Sequence, residues 1–217
     1  MLLSRDLAMQ PTWSDRNIMM KKPVFIINLI LVILEVIALI HDIYVFGAGL
    51  FVWYTIDSNV LQLLVSAVIL MTLCRGREIS KKLTAIHFVS AVGLTVTFLI
   101  AAFVLAPEGG IAYYFLENVA PINHLIAPLL SVLSLLFLEK SELPGKTVIF
   151  LPASATMLYG LICLFLNAVR LIDGPYFFLQ VYDQPASVIV MWFAIIAVLC
   201  IGLAALYRVI RVRMQKR

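Results

Sequence analysis

Two hydroxyls, a carboxylate and a carboxamide fall within five residues in Phe51-Val52-Trp53-Tyr54-Thr55-Ile56-Asp57-Ser58-Asn59, which leads straight into a predominantly apolar run to Cys74. A hydroxyl is a weak nucleophile at its free pKa and needs an adjacent base. Of the three histidines, His124 suits that role best. It follows Pro121, a residue favoured at helix starts, where the positive end of the helix dipole disfavours imidazolium. Pro128 has no amide for the carbonyl of residue 124, so the helix is expected to bend or loosen there. Thr55 is then the candidate nucleophile, and His124 the base that takes its proton and returns it to the leaving group. Asn59 lies one helical turn from Thr55 on the same face. Asn59, Asn123 and Ser58 are the candidates to orient the pair or to donate to a tetrahedral oxyanion.

A plainer reading stands beside this one. Thr55 or Ser58 could simply cap a helix by accepting from first-turn amides, and His124 could be a hydrogen-bonded structural residue. No G-x-S-x-G elbow occurs, which excludes an α/β-hydrolase. No H-E-x-x-H or C-x-x-C pattern occurs and there is no glycine-rich phosphate loop, so no metal and no cofactor is expected.

The elements that must position these residues are membrane-spanning helices. The chain of 217 residues is 63% hydrophobic and 13% charged, against about 45–50% and about 25% in soluble domains. Six apolar segments at roughly 23–46, 57–74, 83–105, 121–138, 147–168 and 185–208 meet the requirement of about 17–25 residues for a spanning helix. Short connections favour an all-α, antiparallel six-helix bundle. Residues 1–22 read as a loose cytoplasmic arm without a signal peptide, 23–208 as the transmembrane domain, and 209–217 as a basic cytoplasmic tail. Cys74, Cys163 and Cys200 read as lipid-depth residues. Membrane lipids and a lipid substrate drawn from the bilayer are the expected partners. The net charge of +4 follows topology and does not indicate nucleic acid.

One side of the predicted bundle collects every basic residue except Arg170, so both termini are expected in the cytoplasm of a cell with the protein in its plasma or inner membrane. The other side holds Tyr113, Tyr114, Tyr176, Phe177, Phe178 and Tyr182, which read as an aromatic belt. Polar groups at depth are costly. Glu35 lies about 18 Å into the first helix. His41 and Asp42 sit near its outer end, where Thr55, Asn123, Asn167, Arg170 and Asp173 also fall. This convergence in the outer half is more than a row of caps requires. His87, at the opposite end, reads as an interfacial histidine.

Three segments carry a resemblance. Tyr54-Thr55-Ile56-Asp57-Ser58-Asn59 resembles the Phe-Thr-x-x-Ser-Asn element of the androgen-induced-protein family, which includes the androgen-dependent TFPI-regulating protein and bacterial six-helix relatives. His124-Leu125-Ile126-Ala127-Pro128 is similar to that family's His-x-x-x-Pro helix, and Gly174-Pro175-Tyr176-Phe177-Phe178-Leu179 to its Tyr-Pro-Tyr-x-Phe-Leu segment. The resemblance implies a threonine hydrolase acting on fatty acid esters of hydroxy fatty acids or similar lipid esters, with Thr55 and His124 as the catalytic pair. The chain departs from the pattern at Ser134, where the bacterial relatives carry an acidic residue, and at Pro175-Tyr176-Phe177. A free carboxylate on such a substrate gives Arg170 a role as its anchor, against simple pairing with Asp173. Glu35, His41, Asp42 and Tyr176 complete the substrate-binding candidates. Two other classes remain open. One is a proton-coupled transporter using Glu35, His41 and Asp42 as a relay, although the chain lacks the internal repeats many transporters show. The other is a noncatalytic membrane partner.

Overall fold

The computed structural model describes residues 13–215, with side chains from residue 21, and every regular element among them is helical. The elements are α1 (Trp13–Phe46), extended by a 3₁₀ segment Gly47–Val52; α2 (Tyr54–Cys74); α3 (Lys81–Gly109); the short α4 (Ile111–Phe115); α5 (Ile122–Leu138); α6 (Thr147–Ala168); and α7 (Ala186–Gln215). Five segments are long and apolar enough to cross a membrane, Lys21–Val52, α2, α3, α6 and α7, while α5 is apolar but shorter. All six expected segments are found. Two boundaries move. Residues 13–22 continue α1 and are not a loose arm, residues 1–12 lying outside the described part. Residues 209–215 continue α7 and are not a separate tail.

The helices alternate in direction, and side chains tie each end together. At the basic end Lys21 pairs with Glu78 at 2.7 Å and Lys81 with Glu142 at 2.7 Å, and Gln215 donates to the Ser141 carbonyl at 3.1 Å. At the opposite end Tyr159 donates to the Val52 carbonyl at 2.7 Å, and Trp53 meets Tyr176 edge-on at 5.7 Å.

Solvation by lipid turns the usual pattern inside out. The inward stripe of α1 is Val24, Asn28, Leu31, Glu35, Ala38 and Asp42, a 4-3-4-3-4 spacing that keeps one face toward neighbours. Ile26, Ile33, Ile37 and Ile40 point outward. Lipid tails are as apolar as those side chains, so burial of hydrocarbon does not drive helices together there; close packing and hydrogen bonds do. Hence α3, which packs on α2, α5, α6 and α7, buries small and hydroxyl-bearing residues, Ala85, Ser90, Ala91, Gly93 and Thr97. It starts at an N-cap, with Ser80 accepting from the Leu83 amide at 3.2 Å.

Three π-helical turns interrupt the bundle, at Ala101–Leu105, Ile122–Ile126 and Ser134–Leu138. The second bears out the loosening expected from Pro128: the ring cannot follow a regular α-turn, and the Ala127 amide bonds the Ile122 carbonyl five residues back. The third holds the Leu135 carbonyl to which Arg211 donates, and Arg211 also donates to the Ser141 carbonyl in the connection that follows. Arg211 is therefore buried and not the exposed tail charge that composition suggested.

His87 also departs from the sequence reading. It is wholly buried, not interfacial. Its Nδ1 lies 2.5 Å from Glu139 Oε1 and its Nε2 3.3 Å from Ser131 Oγ and 3.4 Å from Gln62 Nε2. Ser134 donates to the same Glu139 oxygen at 3.3 Å and accepts from Asn28 at 3.1 Å. α1, α2, α3 and α5 thus meet in one buried polar network in the half toward the basic end.

Candidate active site

The polar opening of α2 does not cap its helix. The N-cap position belongs to Trp53, with no side-chain cap bond. Thr55 lies inside the first turn, and Ser58 donates back to the Thr55 carbonyl at 3.0 Å. The Thr55 hydroxyl is left facing α5, with Oγ1 3.5 Å from His124 Nε2. A working nucleophile–base pair lies at about 2.6–3.2 Å and is often looser before substrate binds. The carbonyls of Ala120 and Tyr114 lie against the His124 ring. Its Nδ1 is buried without a completed hydrogen bond. A proton on Nδ1 would face those carbonyls and leave Nε2 bare toward Thr55.

A shell of amides fixes the pair. Asn59 donates to the Thr55 carbonyl at 2.7 Å and to the Asn123 carbonyl at 3.3 Å, joining α2 to α5. Asn123 donates to Asp42 at 2.9 Å, and Asp42 meets His41 Nδ1 at 3.2 Å. Ser58 also meets Thr97 on α3 at 3.1 Å. Asn59 and Ser58 therefore spend their protons on protein acceptors, and Asn123 one of its two. The Tyr176 hydroxyl faces the Thr55 hydroxyl and the backbone amides of Tyr54 and Thr55. Burial pushes this phenol up to about 12, so it stays a proton donor.

The Tyr176 loop is held by its own sequence. Asn167, at the end of α6, donates to the Ile172 carbonyl at 3.0 Å and accepts from the Val181 amide at 2.8 Å. Gly174 is required by close approach: a Cβ there would stand 2.6 Å from the Leu179 carbonyl oxygen.

A chamber of about 480 Å³ opens on the pair, lined by Thr55, His124, Asn123, His41, Asp42 and Tyr176 among others. Of the candidates, Glu35, Ser58, Asn59 and Arg170 do not line it. Glu35 and Asn59 face a small void beneath, beside Asp42 and Asn123, and Glu35 Oε1 is buried without a partner. Arg170 lies over the Tyr182 ring at 4.6 Å, and no ion pair to Asp173 occurs among the described residues. An exposed contact of this kind contributes about 0.5–1 kcal/mol. Arg170→Ala should therefore leave KM unchanged for acid substrates and for their methyl esters. A KM that rises for the acids alone would restore the anchor role.

Sequence reasoning missed the chamber's aromatic walls. Tyr114 and Phe115 place their rings 5.9 and 6.0 Å from the His124 ring, and Trp53 and Tyr113 line the chamber. The aromatic-belt reading covered Tyr113 and Tyr114, because spacing does not say which rings of a belt turn inward.

A second hydroxyl–imidazole–carboxylate array, Ser131, His87 and Glu139, has the connectivity of a serine triad. It lacks the use of one. Ser131 sends its proton to Gln62 Oε1 at 2.8 Å, and none of the three residues lines the chamber, the void beneath it or the slot described below. Comparison with protein-family models, curated proteins and solved structures returns no match.

Proposed function

We propose that the protein is an integral-membrane lipid-ester hydrolase with a threonine nucleophile, of the kind its three short motifs resemble. The observation that carries the reading is the Thr55–His124 pair at 3.5 Å on the wall of a large chamber. In this reading the chain spans the bilayer six times with cytoplasmic termini, and the pair lies in the outer half.

Thr55 Oγ attacks the ester carbonyl carbon while His124 Nε2 takes its proton. The carbonyl oxygen becomes an oxyanion, which the Tyr176 hydroxyl and the amides of Tyr54 and Thr55 stabilise as its charge develops. The intermediate collapses, the C–O bond to the alcohol breaks, and the alcohol oxygen takes the proton from His124. Water then attacks the acyl-threonine with His124 again as base, releasing the acid and restoring Thr55.

The test is labelling of purified protein with a fluorophosphonate. An adduct on Thr55, absent in Thr55→Ala and His124→Ala, is expected. Folded wild-type protein that takes no label would sink the reading. The transporter alternative has one observation of its own, the buried Glu35 whose Oε1 has no partner. Ion flux in proteoliposomes that survives Thr55→Ala and stops with Glu35→Gln would favour it.

A further inference from the structure

Thr55 stands on the wall between two cavities. Behind it, away from the chamber, is a slot of about 50 Å³ between α2, α3, α6 and α7. Thr55, Leu105 and Tyr176 line both spaces. A carbonyl carbon held at Thr55 Oγ has one substituent directed to each side, and the two spaces differ roughly tenfold in size. The slot's far wall is Met157 and Gly160 on α6 against Phe193 and Ile196 on α7. Gly160 and Phe193 touch: a Cβ on Gly160 would stand 2.8 Å from Phe193 Cζ. The wall therefore cannot recede toward α6, and any side chain at position 160 takes space from the slot.

Resting on the hydrolase reading, we infer that this slot is the acyl subsite, that Phe193 packed on Gly160 sets its depth, and that the protein cleaves short acyl groups from a larger lipid alcohol. One water needs about 10–15 Å³ of such cavity space, so the slot admits only a few carbons beyond the carbonyl. The chamber takes the alcohol, which leaves toward the outer loops. The slot is apolar apart from hydroxyls already engaged, such as Tyr54 with Thr156 at 2.8 Å, which suits an alkyl chain and disfavours a carboxylate.

The experiment compares hydrolysis of p-nitrophenyl esters from acetyl to dodecanoyl by wild type, Phe193→Ala, Phe193→Leu and Gly160→Ala. Wild type should cleave acetyl and butyryl esters at least tenfold faster than dodecanoyl. Both Phe193 variants should move the optimum to longer chains, alanine further than leucine, and Gly160→Ala should move it toward acetyl. A chain-length profile identical in all four proteins overturns the subsite. If wild type cleaves no ester, the hydrolase reading fails. The slot is then judged by a short diazirine fatty acid on Thr55→Ala protein. Crosslinks at Met157, Phe193 or Ile196 support an acyl-binding slot, and crosslinks elsewhere or none overturn it.

Discussion

Thr55→Ala should lower kcat/KM for ester hydrolysis by about 10⁴ or more, because it removes the atom that forms the acyl intermediate in the proposed reaction. His124→Ala should cost a similar factor, since a nucleophile without its base is as idle as a base without its nucleophile. The double variant should be no worse than either single one, as groups that act as a unit are far from additive. Thr55→Ser keeps an oxygen 3.5 Å from His124 and should retain measurable turnover. Tyr176→Phe should cost about 10²-fold in kcat, the lower end for loss of an oxyanion donor, because the amides of Tyr54 and Thr55 remain. Ester hydrolysis by detergent-purified protein checks all five. Thr55→Ala protein with wild-type rates would end the argument. The same rates separate the two origins of a loss: Asn59→Ala, which breaks the 2.7 Å bond to the Thr55 carbonyl, should act through misplacement and leave a partial fluorophosphonate adduct.

The sequence carries the bundle and the pair, and it carries them for different reasons. Apolar length is a local property, so the six segments were readable; the first and last helices overran their basic ends, at Lys21-Lys22 and Arg208, because apolar length marks the span and not where the helix stops. Pro128 announced the π-turn beside His124 for the same local reason. The heptad-spaced polar residues of α1, Asn28, Glu35 and Asp42, are visible in the sequence once the inward stripe is known. Without it they look like isolated polar residues in a lipid-facing helix. Arg211 and His87 were misread because their surroundings come from elsewhere in the chain. Arg211 is drawn inward by the Leu135 carbonyl in the last π-turn of α5 and the Ser141 carbonyl after it. His87 is drawn inward by Glu139, 52 residues away. The positive-inside pattern counts Arg211 at the basic end and says nothing of whether it is solvated.

That inner network makes the largest stability prediction. Glu139 is buried, which by itself would push its carboxyl up. The His87 imidazole beside it, Arg211 and the Ser134 hydroxyl outweigh burial and hold it below the ordinary 4.5. Removing one partner of a buried hydrogen bond leaves the other unsatisfied at about 1–3 kcal/mol, and more where a charged group is involved. Glu139→Ala strands His87 and withdraws the acceptor of Ser134, so α3 and α5 lose a shared contact. For a chain of this size about 1 kcal/mol moves Tm by about 2–4 °C, and Glu139→Ala should lower Tm by on the order of 10 °C. His87→Ala should act likewise, and His87→Ala with Glu139→Ala should cost less than the sum, since neighbours in one network couple. The pH dependence follows from the direction of the shift. A depressed carboxyl contributes stability above its unfolded value, and that contribution is lost as pH falls below 4.5 through the lower folded value. Wild type should therefore lose Tm on acidification through that range more steeply than Glu139→Gln. Thermal melts across pH check this, and equal slopes for the two proteins would show that Glu139 does not hold the helices through its charge. The fluorophosphonate adduct on Thr55 should survive in Glu139→Gln at low temperature, because the two polar centres share no hydrogen bond and serve different ends of the bundle.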